Sequence, residues 1–599
     1  MTHPAHPAHY APDLLAAAQR HLVAKAVAEY THERLLAPEH DPAGGTDGWR
    51  LASPDGRSVL TFRAEVLPLE HWLVDESSLV RTVDGAPADL DAQAFVVEHA
   101  EALGIPPRMQ PLYLEELAAT LAAACWKLAH RTESAADLAH ADLQTVEAAM
   151  TEGHPGFVAN NGRIGFSPDD HAAYAPEAGP DVHLLWLAAR RTGARLSLGR
   201  GLTETGLYDA ELDQATRARF TRVLADRGLD ASDYLWLPLH PWQWRKVAIT
   251  FAPDLAREDL VLLGEGPDAY RPQQSIRTFY NLTHRGRHYV KTALSVQNMG
   301  FVRGLSPAYM EATPAINDWV ADVVAGDPEL KACGFTVLRE VAAVGWTGDV
   351  YHHVEERSPQ RKMLAALWRE SPDGLVGPGE RLASMTSLVH RDAAGASLVG
   401  ALVAASGLDA AAWVRRYLEA YVRPLVHCLL AHELAFMPHG ENLILVLRDG
   451  VVDRVVMKDI GEEVMVMDGR PLPAGVDRVS DAIEQDVRSL ALHTDVMDGF
   501  LRHLAGILHA DDLLDAADFW ALVGEVVDRH AADHPELAEA AARYDLRRPT
   551  FRHSCLNRLQ LLNTLQMVDL ADQAGSLAYA GEIESPIGRD AVGGRGASR

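Results

Sequence analysis

The sequence is poor in cysteine and has no long apolar run, and both shortages limit what it can encode. Its 599 residues contain four cysteines, far apart and without a Cys-x-x-Cys pair. Zinc, iron–sulfur and disulfide frameworks need clustered cysteines, so none is supported and a reducing cytosol fits. No charge-free stretch approaches the roughly 20 apolar residues that span a bilayer, and no signal peptide is evident. We therefore expect a cytoplasmic protein.

Positive charge is also scarce. The chain has 55 Lys and Arg against 83 Asp and Glu, a formal net charge of −28. Non-specific binding to nucleic acid or to anionic membrane is driven by Lys and Arg, so this balance disfavours both partners. An anionic small molecule remains possible where cations are gathered locally. Walker A and GxGxxG motifs are missing too, so any ATP would be bound outside the P-loop and Rossmann solutions.

Hydrophobic periodicity predicts an α+β fold in which helices are in excess. Helices are expected at 12–36, at 182–191 and at 410–436, where Pro424 should introduce a kink. The length exceeds one hydrophobic core. The sequence predicts a mostly helical N-terminal domain over 1–155, a middle domain over 156–370 and a C-terminal domain over 371–599.

The segment 437–463 predicts a β-hairpin with polar residues at its open ends. Asp449-Gly450 favours a two-residue turn, because glycine accepts the positive φ of a primed turn. Counting outward from the turn places Glu441 and Asn442 opposite Met457 and Lys458, with Asp459 one step beyond. The hairpin would thus gather His439, Glu441, Asn442 and Asp459, a set that suits a hard divalent ion and a polyphosphate. The alternative is a surface hairpin with polar ends.

A second hairpin is predicted around Arg285-Gly286-Arg287, with strands at 275–280 and 288–295. It would place Arg277 and Lys291 on one small sheet, with Arg303 a few residues further on. Such a basic set is a candidate grip for phosphates, although basic residues near a hairpin are commonly just solvated.

Two further patterns each allow a second interpretation. The order His-Gly-Glu-Asn, two strands, Asp-x-Gly resembles the magnesium-binding arrangement of kinase-like enzymes, but the acidic residue that would accept the substrate proton is missing. A kinase-like phosphotransferase is therefore an alternative of a different class. His427, Cys428, His432 and Glu433 suggest metal binding, yet helical spacing puts His427 and His432 on different faces, which favours packing and capping roles.

Four ordered motifs over about 145–465 resemble the IucA/IucC-type siderophore synthetases, which work independently of non-ribosomal peptide synthetases. The motifs are Gly153-His154-Pro155 with Gly162-Arg163 and Tyr174-Ala175-Pro176-Glu177; Leu237-Pro238-Leu239-His240-Pro241-Trp242-Gln243; Ser275-Ile276-Arg277-Thr278 with Lys291 and Arg303-Gly304-Leu305; and His439-Gly440-Glu441-Asn442 with Lys458-Asp459. The closing segment 553–572 is also similar. The last third resembles ferric-siderophore reductases, which need a cysteine-bound cluster that the lone Cys555 does not offer.

The resemblance implies a cupped-hand fold with thumb, fingers and palm, and a homodimer. It implies that ATP and Mg²⁺ activate a carboxylate as an acyl-adenylate, which an amine then attacks. By position, Arg303, His439 and Lys291 would be catalytic, and Glu441, Asn442 and Asp459 would hold Mg²⁺. The residues contacting the nucleotide or the reacting carboxylate would be Ser275, Arg277, Lys291, Arg303, His439, Asn442, His154 and Arg163.

Two departures bear on the acid. Citrate-using members carry His-Pro and Lys shortly after the first motif, where this chain has 156–161, GFVANN, and they carry Thr where it has Met299. The chain therefore looks most like the desferrioxamine, bisucaberin and alcaligin synthetases. These join N-hydroxy-N-succinyl-diamines and can oligomerise or macrocyclise them. A citrate-using synthetase is the alternative within the family.

Overall fold

The computed structural model describes residues 7–354, 358–562 and 577–589. It confirms the α+β class with helices in excess. The predicted helices at 12–36 and 410–436 are Pro12–His32 and Ala410–His432, and the second continues through Pro424. Of the closing segment 553–572, only 553–562 lies within the described residues, so its remainder is outside them.

The N-terminal part packs two long helices against each other and against an antiparallel sheet. Its sheet contains the strands Glu39–His40, Gly48–Ala52, Ser58–Leu67, His71–Val74, Val80–Val83 and Ala86–Ala88. Its helices are Pro12–His32, Ala92–Glu98, Gln110–His130, Ala135–Leu138 and Leu143–Ala149. The segment 154–166 follows, and it leads into the helix Pro168–Tyr174.

The prediction of a helix at 182–191 is wrong. Leu185–Arg190 is the central strand of an antiparallel sheet, between Leu260–Glu265 and Tyr234–Leu239. Its residues 186–189 are all buried, so the segment is apolar throughout and lacks the alternation that marks a half-buried strand. A short continuous apolar run cannot be told from a helix by periodicity alone. Around this sheet lie the helices Glu204–Glu211, Gln214–Ala225, Pro241–Thr250 and Ala252–Ala256.

The predicted basic hairpin forms part of a six-stranded sheet. Its strands are Thr278–Asn281 and Tyr289–Thr292, and we call this unit the cation hairpin. The sheet order is Tyr270–Pro272, Thr278–Asn281, Tyr289–Thr292, Ala365–Arg369, Glu340–Trp346 and Ala194–Leu198. A two-stranded ribbon, Gln297–Asn298 with Phe301–Val302, leads from it to Arg303.

The predicted polar hairpin also forms. Its strands Leu443–Arg448 and Val451–Met457 lie between Glu380–Ser384 and Thr336–Val337, and we call this unit the acidic hairpin. Helices of the C-terminal cluster pack around this sheet: Thr313–Gly326, Pro328–Ala332, Leu398–Ser406, Ala410–His432, Arg502–Ala510, Ala516–Asp533 and Ala538–Tyr544. The helix Leu556–Leu562 instead packs its Leu561 into the N-terminal cluster. Ile460–Glu463 is a short helix directly after the acidic hairpin, and His493–Leu501 is a π-helical stretch.

Buried apolar side chains form three large clusters, centred on the N-terminal helices, the middle sheets and the C-terminal helices. The C-terminal cluster also takes in Ile316 and Val320 of Thr313–Gly326. These clusters do not test the predicted domain boundaries at 155 and 370, which stay predictions. All four cysteines are free thiols. Among the described helices, none alone is long and apolar enough to cross a membrane; Leu398–Ser406 and Ala410–His432 pass only as a pair bent by 104°.

Candidate active site

A β-bulge sets the register of the acidic hairpin. Asp449 and Gly450 both have positive φ, as a primed turn requires. Val446 pairs with Arg454 and Leu447 with Val452, so Asp453 is an extra residue in its strand.

The bulge corrects the predicted pairing by one position. Leu443, rather than Asn442, pairs with Met457, and Lys458 donates its backbone N–H to the Asn442 carbonyl at 2.9 Å. A one-residue shift reverses the face on which each side chain lies. The bulge therefore brings Asn442 level with Lys458 at the open end.

One cavity of about 1130 Å³ brings the two hairpins together. Nine of the ten predicted site residues line it: His154, Ser275, Arg277, Lys291, Arg303, His439, Glu441, Asn442 and Asp459. The backbone is strained beside two of them, because the β-branched Ile276, between Ser275 and Arg277, has φ 60°.

The cations of the cavity differ in how far they are already neutralised. Lys291 Nζ lies 2.8 Å from Asp459 Oδ1 and 3.1 Å from Glu462 Oε2. Burial opposes its charge, but these two carboxylates raise the pKa of Lys291. Arg277 donates to the Gly304 carbonyl and lies 3.9 Å from Glu462.

Arg303 is held differently. Within the described ranges its side chain has no ion pair of 4.0 Å or less, and its buried Nε has no hydrogen-bond partner. Burial, and then the charge of Arg277, lower its pKa to about 10, so it stays charged at neutral pH. A half-buried guanidinium whose Nε has no partner is suited to an incoming anion.

The carboxylates lie on the segment that follows the acidic hairpin. Asp459 has φ 59° and ψ 41°, a left-handed turn into the short helix Ile460–Glu463. Arg369 Nη1 contacts the second Asp459 oxygen at 2.9 Å. Although burial opposes ionisation, Lys291 and Arg369 hold the pKa of Asp459 well below its usual range.

Glu463 has the opposite titration behaviour. Burial, and then the neighbouring Asp459 charge, raise its pKa to about 8. Asn442 donates its side-chain amide to Glu463 and also to the Met437 carbonyl at 2.9 Å. Burial raises the pKa of Glu441 too. A divalent cation bound among these crowded carboxylates would replace the retained proton and reduce the repulsion between their charges.

Two histidines lie beside each other in the wall of the cavity. The rings of His154 and His439 are 5.5 Å apart. Burial, followed by the charge of Lys458, lowers the pKa of His439 to about 4, and burial also lowers the pKa of His154. Both rings are therefore neutral at pH 7. His439 Nδ1 is buried and has no hydrogen-bond partner within the part of the chain that the structure describes.

The structure does not bring Arg163 to the cavity. Its guanidinium contacts Glu177 at 2.5 Å and Asn161 at 3.2 Å, inside the packing of the middle part. His171 contacts the same Glu177 oxygen at 2.9 Å. The charge of Arg163 is thus already compensated, so a contact with nucleotide has no geometric support.

The helix residues expected to pack and cap show a mixed result. Glu433 ends the helix in a left-handed conformation and accepts from Tyr544. His427 and His432 were expected on different faces, yet both reach Asp327 Oδ2, at 3.1 and 2.9 Å. The two rings can lie on different faces of the helix and still converge, because the Asp327 side chain from outside the helix reaches both.

Sequence reasoning missed several residues of the site. Glu462 and Glu463 directly follow Asp459-Ile460-Gly461, and that acidic run was the available signal. Gly461 allows the close approach that fixes this segment: a Cβ there would lie 2.4 Å from Thr313. Arg369 comes from a distant strand, and no local pattern marked it.

Apolar groups form another wall of the cavity. Phe157 and Met299 pack with Leu559, and both of them line the cavity. Together, the cavity offers cations, crowded carboxylates and apolar surface. The cations can bind and align an anionic polyphosphate, the carboxylates a hard divalent ion, and the apolar wall a carbon chain. This combination fits a ligase that activates an acid with a nucleotide.

Comparison with known proteins agrees. Residues 142–390 match the IucA / IucC family, and residues 411–569 match the ferric iron reductase FhuF-like transporter family. The chain is 44% identical to the putrebactin synthase of Shewanella sp. (strain MR-4), over 98% of this chain and 93% of that protein. It is 31% identical to the aerobactin synthase of Escherichia coli, over 90% and 93%.

Solved structures give the same result. The aerobactin synthetase IucC of Klebsiella pneumoniae superposes with a TM-score of 0.83 at 28% identity, covering 96% of this chain and 98% of that one. AsbB of Bacillus anthracis, a petrobactin biosynthesis protein, has a TM-score of 0.85 at 20% identity and shares the fold, covering 97% and 96%. The chain belongs to the IucA/IucC family of siderophore synthetases. Its members join carboxylates to amines, and this chain is an enzyme of that kind.

Proposed function

We propose that this enzyme activates the carboxylate of an N-hydroxy-N-succinyl-diamine with ATP, releasing pyrophosphate, and joins it to an amine as an amide. The observation that carries the proposal is the convergence of the cation hairpin and the acidic hairpin on one cavity. Repetition of the reaction would extend the product, and attack by its own terminal amine would close a ring.

The residues present fit a triphosphate. Arg303 Nε, Arg277 Nε and His439 Nδ1 are buried atoms without hydrogen-bond partners among the described residues, and all three residues line the cavity. A carboxylate approaching the α-phosphorus is repelled by the phosphates, so cations must cancel that charge and align the attack. Arg303 and Lys291 supply the charge, Ser275 and Arg277 position the phosphates, and His154 and His439 add neutral imidazoles. A solved relative, the aerobactin synthetase IucA of Klebsiella pneumoniae, is ATP-bound.

The acidic segment fits Mg²⁺ for a separate reason. Glu441, Asn442 and Asp459 offer oxygen ligands at the same end of the acidic hairpin, and Glu462 and Glu463 add two carboxylates. Bound there, Mg²⁺ would neutralise negative charge on the phosphates. Lys291, which otherwise pairs with Asp459 and Glu462, could then turn to a phosphate oxygen.

The apolar wall supports the acid chosen. Met299 and Phe157 present no donor to the additional carboxylates of citrate, whereas a succinyl arm carries only one carboxylate. The sequence identities to relatives also favour an acid other than citrate. The citryl-spermidine ligase of Bacillus anthracis and the N(2)-citryl-N(6)-acetyl-N(6)-hydroxylysine synthase of Vibrio mimicus are only 25% and 24% identical, against 44% for the putrebactin synthase.

The test is to supply ATP, Mg²⁺ and either N-hydroxy-N-succinyl-cadaverine, its putrescine analogue or citrate, and to separate the nucleotides by chromatography. The proposal expects AMP and pyrophosphate with the succinyl compounds. Turnover with citrate alone would contradict the acid assignment, and ADP as product would favour a kinase-like phosphotransferase. We further propose a homodimer, which sedimentation velocity can check.

A further inference from the structure

Three histidines from two helices converge away from the cavity. His427 belongs to Ala410–His432, His530 to Ala516–Asp533, and His534 directly follows that helix. One ring nitrogen from each lies within 4.8 Å of the others. The residues that line the cavity do not include any of the three.

Two carboxylates determine which ring nitrogens face inward. His427 Nε2 lies 3.1 Å from Asp327 Oδ2, and His534 Nδ1 lies 2.8 Å from Glu536 Oε1. A carboxylate favours the proton on the nitrogen beside it, so Asp327 leaves the lone pair of His427 on Nδ1. His534 has a carboxylate beside each nitrogen, Glu536 at Nδ1 and Glu329 at Nε2, so a metal ion at Nε2 would replace the contact between Nε2 and Glu329. Metal-binding histidines are typically held in this way, with the second nitrogen donating to a carboxylate.

The third ring completes the set. His530 Nε2 lies 3.0 Å from His427 Nδ1 and donates a hydrogen bond to its lone pair, and a metal ion bound between the two nitrogens would displace this proton. Two nitrogens bound to one tetrahedral zinc at about 2.0–2.1 Å are roughly 3.3 Å apart, close to this spacing. Burial, and then the charge of His427, lower the pKa of His530 to about 4, so its ring is neutral at pH 7 and can offer a lone pair.

A carboxylate stands where a fourth ligand would be needed. Glu329 Oε2 lies 3.3 Å from His534 Nε2, while Glu329 Oε1 contacts Arg423 at 2.5 Å. We infer that His427, His530 and His534, with Glu329, form a binding site for a divalent transition-metal ion of the zinc or cobalt type. The ion would join the ends of Ala410–His432 and Ala516–Asp533 and so hold the chain that leads to His439.

Of the three other candidate clusters in the described residues, one, Asp327 with His427 and His432, shares His427 with the proposed site, and the other two differ from it. His71 with Glu29 and His503, and His32 with Asp498 and His553, also bring ligand atoms together. Arg502 lies among them, 3.0 Å from His71 Nδ1, 2.9 Å from Glu29 and 3.0 Å from Asp498. The Arg502 guanidinium contacts candidate ligand atoms of both clusters directly, whereas Arg423 at the proposed site contacts Glu329 Oε1 and leaves Glu329 Oε2 for an ion.

The experiment uses the full chain after treatment with EDTA and dialysis. The N-terminal tail contains His3, His6 and His9, which can bind metal themselves, so all variants carry these three as glutamine. Co²⁺ binding is followed by visible absorption, and Zn²⁺ binding by calorimetry and by thermal unfolding. We expect one equivalent bound tightly, the absorption bands of four-coordinate Co²⁺, and a raised Tm.

Three variants decide the matter. His530→Gln should weaken binding at least about 100-fold and abolish the Co²⁺ bands. Glu536→Gln, on an exposed side chain, should weaken binding about tenfold, as is typical for the partner of a metal-binding histidine. Glu539→Gln, exposed one turn away, should change nothing. Equal binding by all proteins, or no saturable binding by the parent, would overturn the inference. If His530→Gln fails to fold, Glu536→Gln decides alone.

Discussion

Lys291 Nζ and Asp459 Oδ1 lie 2.8 Å apart, although 168 positions separate the two residues in the chain. Lys291 is within a strand of the cation hairpin, and Asp459 lies two residues beyond the acidic hairpin. Arg369 contacts the other Asp459 oxygen at 2.9 Å. The ion pair keeps both hairpins together and leaves little uncompensated charge in a buried place. Lys291 could exchange this ion pair for a contact with a phosphate oxygen, and Asp459 could exchange it for a divalent ion.

The first prediction concerns Arg303. Arg303→Ala should reduce acid-dependent pyrophosphate exchange by about 30- to 1,000-fold, equivalent to about 2–4 kcal/mol, because it removes one charge-stabilising donor. Arg416→Ala, at an exposed arginine outside the cavity, is the matched control and should retain full exchange. Activity of Arg303→Ala within tenfold of the parent would place Arg303 outside the reaction.

The second prediction concerns pH and Mg²⁺. Burial and Asp459 raise the pKa of Glu463 to about 8, so a proton competes with a divalent ion below that pH. The Mg²⁺ concentration for half-maximal exchange should therefore fall as the pH rises from about 7 to 9.

A variant of Glu463 checks that this residue causes the pH dependence of the Mg²⁺ requirement. Glu463→Gln should flatten the pH dependence of the Mg²⁺ requirement. Because its pKa is raised in the folded protein, the stability it contributes is lost as pH rises toward 8, so Glu463→Gln should gain stability relative to the parent at high pH. An unchanged slope of the Mg²⁺ titration with pH would count against this residue.

The third prediction concerns the bulge. Deleting Asp453 should restore an uninterrupted ladder and shift Asn442 back opposite Met457, away from its level with Lys458. We expect a folded protein by circular dichroism in which pyrophosphate exchange is abolished. Asp453→Asn keeps the extra residue and should remain active. Full activity of the deletion variant would show that the register of this hairpin is unimportant.

The fourth prediction concerns the acid. Met299→Ser, which avoids a β-branched side chain at the φ of 52° that Met299 has, should weaken contact with the succinyl arm and raise KM for the succinyl substrate about tenfold, the order expected for a small change in an apolar pocket. Citrate should become measurable as a substrate. Met299→Leu conserves the apolar volume and should behave like the parent. Identical acid preferences in all three proteins would remove Met299 from the specificity wall.

Local patterns were sufficient for the hairpins. Asp449-Gly450 specified its turn, and the polar residues at the strand ends indicated where the acidic hairpin would bind a ligand. They could not specify the bulge at Asp453, because a count from the turn assumes a regular ladder. The same limit affected 182–191, where a central strand that is buried throughout has no alternating pattern.

The remaining site residues depended on tertiary structure. Arg369 joins Asp459 only because its strand pairs with Tyr289–Thr292. Arg163 belongs to a matching motif, but Glu177 takes its guanidinium, and no spacing in the sequence revealed that contact. The Asp327 carboxylate that unites His427 and His432 likewise comes from a separate segment.

The most direct test of the account is acid-dependent exchange of labelled pyrophosphate into ATP, measured with no free amine present. The acid is N-hydroxy-N-succinyl-cadaverine with its amine acetylated, so that it can be activated but cannot condense. If the two hairpins activate a carboxylate, the parent enzyme should exchange label when Mg²⁺ and this acid are supplied, and Arg303→Ala should exchange it at least about 30-fold more slowly. If no label is exchanged in the presence of ATP, Mg²⁺ and this acid, or if ADP is formed, the central claim is contradicted.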